Sequence, residues 1–238
     1  MTNKVCRFTD LGLIDYKECW DKQEELFKNI IEIKINNRSD SVNDPKRTPN
    51  YLIFCEHPHV FTLGKSGSEA NLLVNMIELN KLKVNYYKIN RGGDITYHGP
   101  GQIVVYPILD LENFNLDIKH YIYYLEEIII LTLKEYNIKG ERLKGATGVW
   151  LDTDKPSKVR KICAIGVRAS RYVSMHGLAF NVNTELKYFN MINPCGFTDK
   201  AVTSLEKELM THIALEDIKG IIKSKFWTVF GFEYIDGI

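Results

Sequence analysis

Cys195 is the residue whose surroundings most suggest chemistry. It sits in Asn193-Pro194-Cys195-Gly196-Phe197, where proline fixes φ on one side and glycine frees the backbone on the other. Cys55 and Cys163 lie inside apolar runs, as small buried side chains do, and Cys6 and Cys19 complete a set of five. An odd number with no C-x-x-C spacing argues against a disulfide framework and a zinc ribbon. Cys195 is therefore either a small packed residue or a working nucleophile. Local context leaves the two readings evenly matched.

The second concentration of chemistry is Arg91-Gly92-Gly93-Asp94-Ile95-Thr96-Tyr97-His98-Gly99-Pro100-Gly101-Gln102. Four glycines and a proline in twelve residues argue against a regular element and for a loop whose backbone a ligand can approach closely. A plain hairpin turn would explain the glycines but not the Arg, Asp, Thr and His among them, so a binding loop is preferred. Lys161 opens the apolar run Lys161-Ile162-Cys163-Ala164-Ile165-Gly166-Val167; taken alone it reads as a charged strand end.

Two nucleotide motifs fail. Gly64-Lys65-Ser66 looks like the end of a P-loop, but the required earlier glycine falls at His59. Gly99 and Gly101 begin a dinucleotide fingerprint whose last glycine falls at Val104. Among His57, His59, His98 and His176, His57 and His59 share a strand face by spacing, yet Pro58 intervenes and no Cys or carboxylate has convincing ligand spacing. These histidines are expected to be hydrogen-bonded rather than metal-bound, and no metal is expected.

The elements that must position these groups read as follows. Apolar periodicity predicts helices over Tyr16–Ile35, Asn75–Lys81, Asp117–Tyr136 and Leu215–Phe226, with Ile118, Ile122, Leu125, Ile129 and Leu133 giving the clearest stripe. Short Val-, Ile- and Tyr-rich runs predict strands over Tyr51–Glu56, Val84–Ile89, Ile103–Leu109, Thr147–Leu151, Lys161–Val167 and Leu178–Val182. Strands come in groups rather than alternating with helices, which favours an α+β fold with a large mixed or antiparallel sheet flanked by helices. The polar stretch Asn36–Asn50 reads as a surface loop within one domain spanning residues 1–238.

Composition agrees. The 238 residues are 45% hydrophobic and 26% charged, suiting a globular chain. Thirty-one Lys and Arg against 30 Asp and Glu leave a net charge of +1, which suggests no nucleic-acid partner. The apolar window Ile122–Leu133 is broken by Glu126 and Glu127, and the first sixteen residues lack a signal-peptide core; a cytoplasmic protein without membrane association is expected. Lys155, Lys158, Arg160, Lys161, Arg168 and Arg171 form a basic cluster, either a docking face or an ordinary solvated one.

Taken together these segments resemble the lipoyl (octanoyl) transferase family. Arg91–His98 fits its R-G-G-x-x-T-x-H signature, continued by G-P-G-Q. Lys161–Gly166 fits K-I-x-x-x-G. His176-Gly177-Leu178-Ala179 with Asn181-Val182-Asn183, the N-P-C-G at Asn193–Gly196, and Glu56-His57-Pro58 with Thr62 and Gly64 complete the order. The resemblance runs from Glu56 to Gly196 and implies the fold of biotin and lipoate protein ligases. It implies Cys195 as the nucleophile of an acyl-thioester intermediate and Lys161 as its partner. It implies a substrate pocket made of Arg91, Gly92, Gly93, Asp94, Ile95, Thr96, Tyr97 and His98, with Ala164, Ile165, Gly166, Gly177, Leu178 and Ala179. No cofactor is implied. The reaction implied is octanoyl (or lipoyl) transfer from acyl carrier protein to a lysine of lipoyl domains, the first step of endogenous lipoate synthesis. Alternatives are an ATP-dependent lipoate or biotin ligase of the same fold, an amidotransferase between lipoyl-domain lysines, a Cys–His hydrolase, and a non-catalytic module that binds acyl carrier protein.

Overall fold

The computed structural model describes residues 3–38, 44–193 and 200–237. Strand β1 (Val5–Leu13) leads to helix α1 (Tyr16–Asn37), which starts where the Asp15 carboxylate accepts the backbone N–H groups of Lys17 and Glu18. Strands β2 (Asn50–Glu56) and β3 (Val60–Leu63) follow. Short helix α2 (Met76–Lys81) opens on a capping box between Asn75 and Glu78. Next come β4 (Asn85–Lys88), β5 (Ile95–His98) and β6 (Gln102–Ile108). Helix α3 (Ile118–Lys134), capped by Asp117, precedes β7 (Glu141–Leu143), β8 (Ala146–Leu151), β9 (Arg160–Ser170) and β10 (Val173–Asn181). Strand β11 (Ala201–Val202), helices α4 (Leu205–Leu209) and α5 (Leu215–Phe230), and β12 (Glu233–Asp236) close the chain.

Among the described residues nine strands form one sheet, ordered β12-β1-β2-β6-β10-β9-β8-β7, with β11 beside β9. The pairs β12–β1, β1–β2 and β11–β9 are parallel and the rest antiparallel, so the sheet is mixed, as the grouping of strands predicts. A second sheet, β4-β3-β5, stands apart from it.

Both faces of the main sheet are covered. On one, Tyr121, Leu125 and Ile129 of α3 and Ile222 and Phe226 of α5 pack on Leu52, Phe54, Val105 and Phe180. On the other, Cys19, Phe27 and Ile30 of α1 pack on Ile53, Val104 and Met175. Double coverage explains why β2 and β6 read as nearly unbroken apolar runs. Each large side chain so buried contributes about 1.5–3 kcal/mol. Phe61, Tyr97, Tyr188 and Ile192 form a separate small cluster under the second sheet.

All four predicted helices are present, with α1 running to Asn37 and α5 to Phe230. The glycine-rich segment differs from its reading as wholly irregular: Ile95–His98 pairs with β3 as β5. The Asn36–Asn50 stretch is a surface loop only in part. Its first two residues end α1, residues 39–43 lie outside the described ones, and Thr48 and Asn50 are buried at its end.

Candidate active site

Strands β9 and β10 run side by side with Ala164 opposite Ala179 and Gly166 opposite Gly177. Four small residues on adjacent strands leave the sheet without bulk there. The result is a cavity of about 440 Å³. Val104 and Tyr106 of β6 and Tyr16 of α1 line it on the side that carries α1. The segment Arg91–Thr96 lines it as well, with His98.

That segment is held firmly for a loop. Gly64, Lys65 and Ser66 donate their N–H groups to the carbonyls of Asp94, Arg91 and Gly93, and Gly92 N–H donates to Val167 O at 2.9 Å. A Cβ at Gly64 would strike the Gly93 carbonyl, so glycine is required for this approach. The buried Arg91 guanidinium donates to Thr62 O at 2.6 Å, to Thr62 Oγ1 and to Gly92 O. Arg91 thus clamps the loop onto β3.

Lys161 enters from the second residue of β9, its Nζ 4.5 Å from the centre of the Trp150 ring. Trp150 pairs with it on one side and Val202 of β11 on the other. Cys195 lies outside the described residues, as does most of the N-P-C-G block. Its flanks are described: Asn193 donates its N–H to Asn71 O at 2.8 Å, and Lys200 lines the cavity. The four described cysteines, Cys6, Cys19, Cys55 and Cys163, are buried and none lines the cavity. Burial pushes the thiols of Cys6, Cys55 and Cys163 up, away from the thiolate form.

The structure brings together Lys161, Arg91–Thr96, His98, Ala164–Gly166 and Gly177–Ala179 around one cavity. Tyr97 is placed elsewhere. Strand alternation turns its side chain away from the cavity, stacked on Tyr188 at 4.9 Å and hydrogen-bonded to His59 Nδ1 at 2.7 Å. Several lining residues were not singled out for the pocket. Gln102 and Asn181 stand in the quoted G-P-G-Q and N-V-N blocks, whereas Tyr16, Tyr106 and Lys200 carry no sequence signal. Gln102 Oε1 accepts from His98 Nδ1 at 2.8 Å, and its Nε2 donates to Tyr97 O and Asn181 Oδ1. Asn181 donates to Thr203 O, so one hydrogen-bonded chain links the loop to the residue that follows β11.

The four histidines are all hydrogen-bonded. His57 bridges Ile14 O and Tyr106 OH, His59 meets Tyr97, His98 meets Gln102, and His176 Nε2 meets Asn90 Oδ1 at 2.9 Å. Burial lowers His57 to about 4 and His98 and His176 to about 3, so all three stay neutral near pH 7. Several members of the basic cluster carry acidic partners. Arg160 is paired with Glu208 and Asp152, Lys155 with Asp152, and Arg168 with Glu24. Lys161 turns into the cavity.

Comparison with known proteins bears on this geometry. The family described as the lipoyl protein ligase A/B catalytic domain matches residues 15–227. An octanoyltransferase of Flavobacterium psychrophilum is 57% identical over 96% of the chain and 97% of its own length. One from Cytophaga hutchinsonii is 52% identical over 96% and 94%. Among solved structures, a bipartite lipoate protein ligase from Thermoplasma acidophilum superposes with a TM-score of 0.69 at 13% identity, over 99% of this chain and 87% of that one. Biotin protein ligase from Aquifex aeolicus gives 0.52 at 13%, over 94% and 70%. These structures share the fold.

Proposed function

The chain belongs to the lipoyl protein ligase A/B catalytic domain family, and from that premise we propose that it is an octanoyltransferase. It moves an octanoyl group from acyl carrier protein to a lysine of a lipoyl domain through an acyl-thioester on Cys195. The observation that carries this reading is the slot of small residues on β9 and β10, with Lys161 paired to β11, a strand that begins six residues after Cys195 in the sequence. Cys195 is five residues from Lys200, a reach of at most about 18 Å. An apolar chain fits a floor of Ala164, Gly166, Gly177 and Ala179 between β6 and the glycine loop.

The first half-reaction is attack of the Cys195 thiolate on the donor thioester. An ordinary cysteine, with pKa ~8.5, is mostly protonated near neutrality. An ammonium about 4 Å away contributes ~4 kcal/mol at an effective dielectric of roughly 20, before desolvation, and half of that suffices to cross pH 7. Lys161 supplies that charge, or takes the proton as a neutral base; these are two protonation states of one coupled pair. In the second half-reaction the lipoyl-domain lysine loses a proton and attacks the acyl-cysteine, and Lys161 assists there too. Thioester to amide is downhill, so no nucleotide is needed. Backbone N–H groups of the glycine loop and of β10 are the candidates for holding the oxyanion. No helix among the described residues is long and apolar enough to cross a membrane, and a cytoplasmic location is part of the same reading.

The test compares two donor systems with one lipoyl-domain acceptor. Octanoyl-acyl carrier protein without ATP should be used at a rate at least a hundredfold above octanoate with ATP and magnesium. The reverse preference would make the chain a ligase and Cys195 incidental.

A further inference from the structure

Among the described residues that line the cavity, His176 alone has a buried polar side-chain atom left over. Its side chain lines the cavity and is 1% exposed, yet Nδ1 has no hydrogen-bond partner. The tautomer follows from its neighbours. Arg168 and Asn90 Nδ2 both donate to the Glu24 carboxylate, at 2.7 and 3.0 Å. That turns Asn90 Oδ1 toward His176 Nε2 at 2.9 Å, and since Oδ1 only accepts, Nε2 carries the hydrogen. Nδ1 is then a bare acceptor. The residue is also held at a cost: its φ is +61° within strand β10, and its own N–H is taken by Gln23 Oε1 of α1. A non-glycine residue in this region persists only where the surroundings fix it.

Its place along the slot gives the atom a meaning. His176 pairs with Val167, and between it and Lys161 come Gly177 beside Gly166 and Ala179 beside Ala164. Lys161 and Val167 are six residues apart, ~20 Å along an extended strand. A lysine side chain, an eight-carbon chain and an imidazole fill such a length in line. The reacting end of an acyl chain lies at Lys161 and its distal end at His176.

Resting on the transferase reading, we propose that His176 is a specificity-determining residue at the distal end of the acyl slot, where Nδ1 accepts a hydrogen bond from a donor at or next to C8. The enzyme therefore takes medium acyl chains that end in a hydroxyl as readily as plain octanoyl. A slot without an acceptor would strand that hydroxyl and lower kcat/KM on the order of ten- to a hundredfold.

The experiment measures kcat/KM for octanoyl- and 8-hydroxyoctanoyl-acyl carrier protein with one lipoyl domain. The wild type should use the hydroxylated donor within threefold of octanoyl, or better. In His176→Phe, which keeps a ring and removes the acceptor, the ratio of hydroxylated to plain donor should fall about tenfold or more. Should that variant not fold, nitrogen-15 NMR of wild-type histidines decides: Nδ1 of His176 should be unprotonated, and should shift when 8-hydroxyoctanoate is added but not octanoate. Wild-type discrimination of more than tenfold against the hydroxylated donor, an unchanged ratio in the variant, or a protonated Nδ1 would overturn the proposal while octanoyl transfer still stood. Failure to use either donor would instead overturn the transferase reading, and the proposal with it.

Discussion

At the scale of single residues the account turns on Lys161. It is the second residue of β9, and the strand directs it into the cavity over Trp150. Replacing Lys161 with Ala should slow both acyl-enzyme formation and its discharge by about a hundredfold, within the range of positioned proton-transfer groups. Lys161→Arg keeps a cation but cannot act as a base. It should preserve acyl-enzyme formation better than discharge if charge drives the first step and proton transfer the second. Pre-steady-state measurement of the two halves checks this; a variant impaired only in the first would remove Lys161 from the second. The sequence pointed to Lys161 only through the family pattern. A lysine at the head of an apolar run is indistinguishable from an ordinary strand end until β8 and β11 are seen on either side of it. Tyr97 shows the opposite limit. It lies inside the signature, but strand alternation sends it into the Phe61–Tyr188 cluster.

At the scale of elements the site depends on backbones that approach closely. Gly177 lies where an added Cβ would collide with the Val105 carbonyl of β6. Gly177→Ala should therefore cost about 1–3 kcal/mol of stability and widen the slot floor, seen as a lower denaturant midpoint and a raised donor KM. Gly220, in α5, meets nothing within 4 Å at the same construction. Gly220→Ala should stabilise by about 0.4–1 kcal/mol with transfer unchanged; a loss of stability there would contradict the packing described. Arg160 ties β9 to Glu208 of α4 and to Asp152, so Arg160→Ala should lower thermal stability. A changed carrier-protein KM with unchanged stability would restore it to a docking role. Periodicity found the long helices and the buried central strands, because their apolar residues recur over many positions. It missed β1, whose run is broken by Arg7 and Asp10, the exposed edge strand β12, and β3 and β5. The last two are four residues each, too short for a period to register, and β5 is hidden among glycines.

At the scale of the whole molecule the buried histidines set a pH limit. His57, His98 and His176 are lowered to about 4, 3 and 3 by burial, against an ordinary value of 6.5. Below pH 6.5 the unfolded chain takes up protons that the folded chain refuses, so stability falls as pH falls from 6.5 toward those values. Each histidine contributes a slope of up to about 1.4 kcal/mol per pH unit. Urea midpoints should be level from pH 8 to 7 and drop steeply between 6 and 5; a flat profile would mean that these histidines ionise in the folded state. At this scale the mixed, two-faced sheet was legible from the grouping of strands. The joining of the glycine loop, β9 and β10 around one cavity was not, because these segments are far apart in sequence and only the register of the sheet assembles them.

The central claim is that Cys195 carries the acyl group. The most direct test incubates the protein with octanoyl-acyl carrier protein, without ATP or acceptor, and takes an intact mass followed by peptide mapping. The account predicts one octanoyl group on the peptide containing Cys195, released as octanoylated product when a lipoyl domain is added, and absent in Cys195→Ala. An unmodified protein that still transfers octanoyl in one step, or an adduct on another residue, would contradict it.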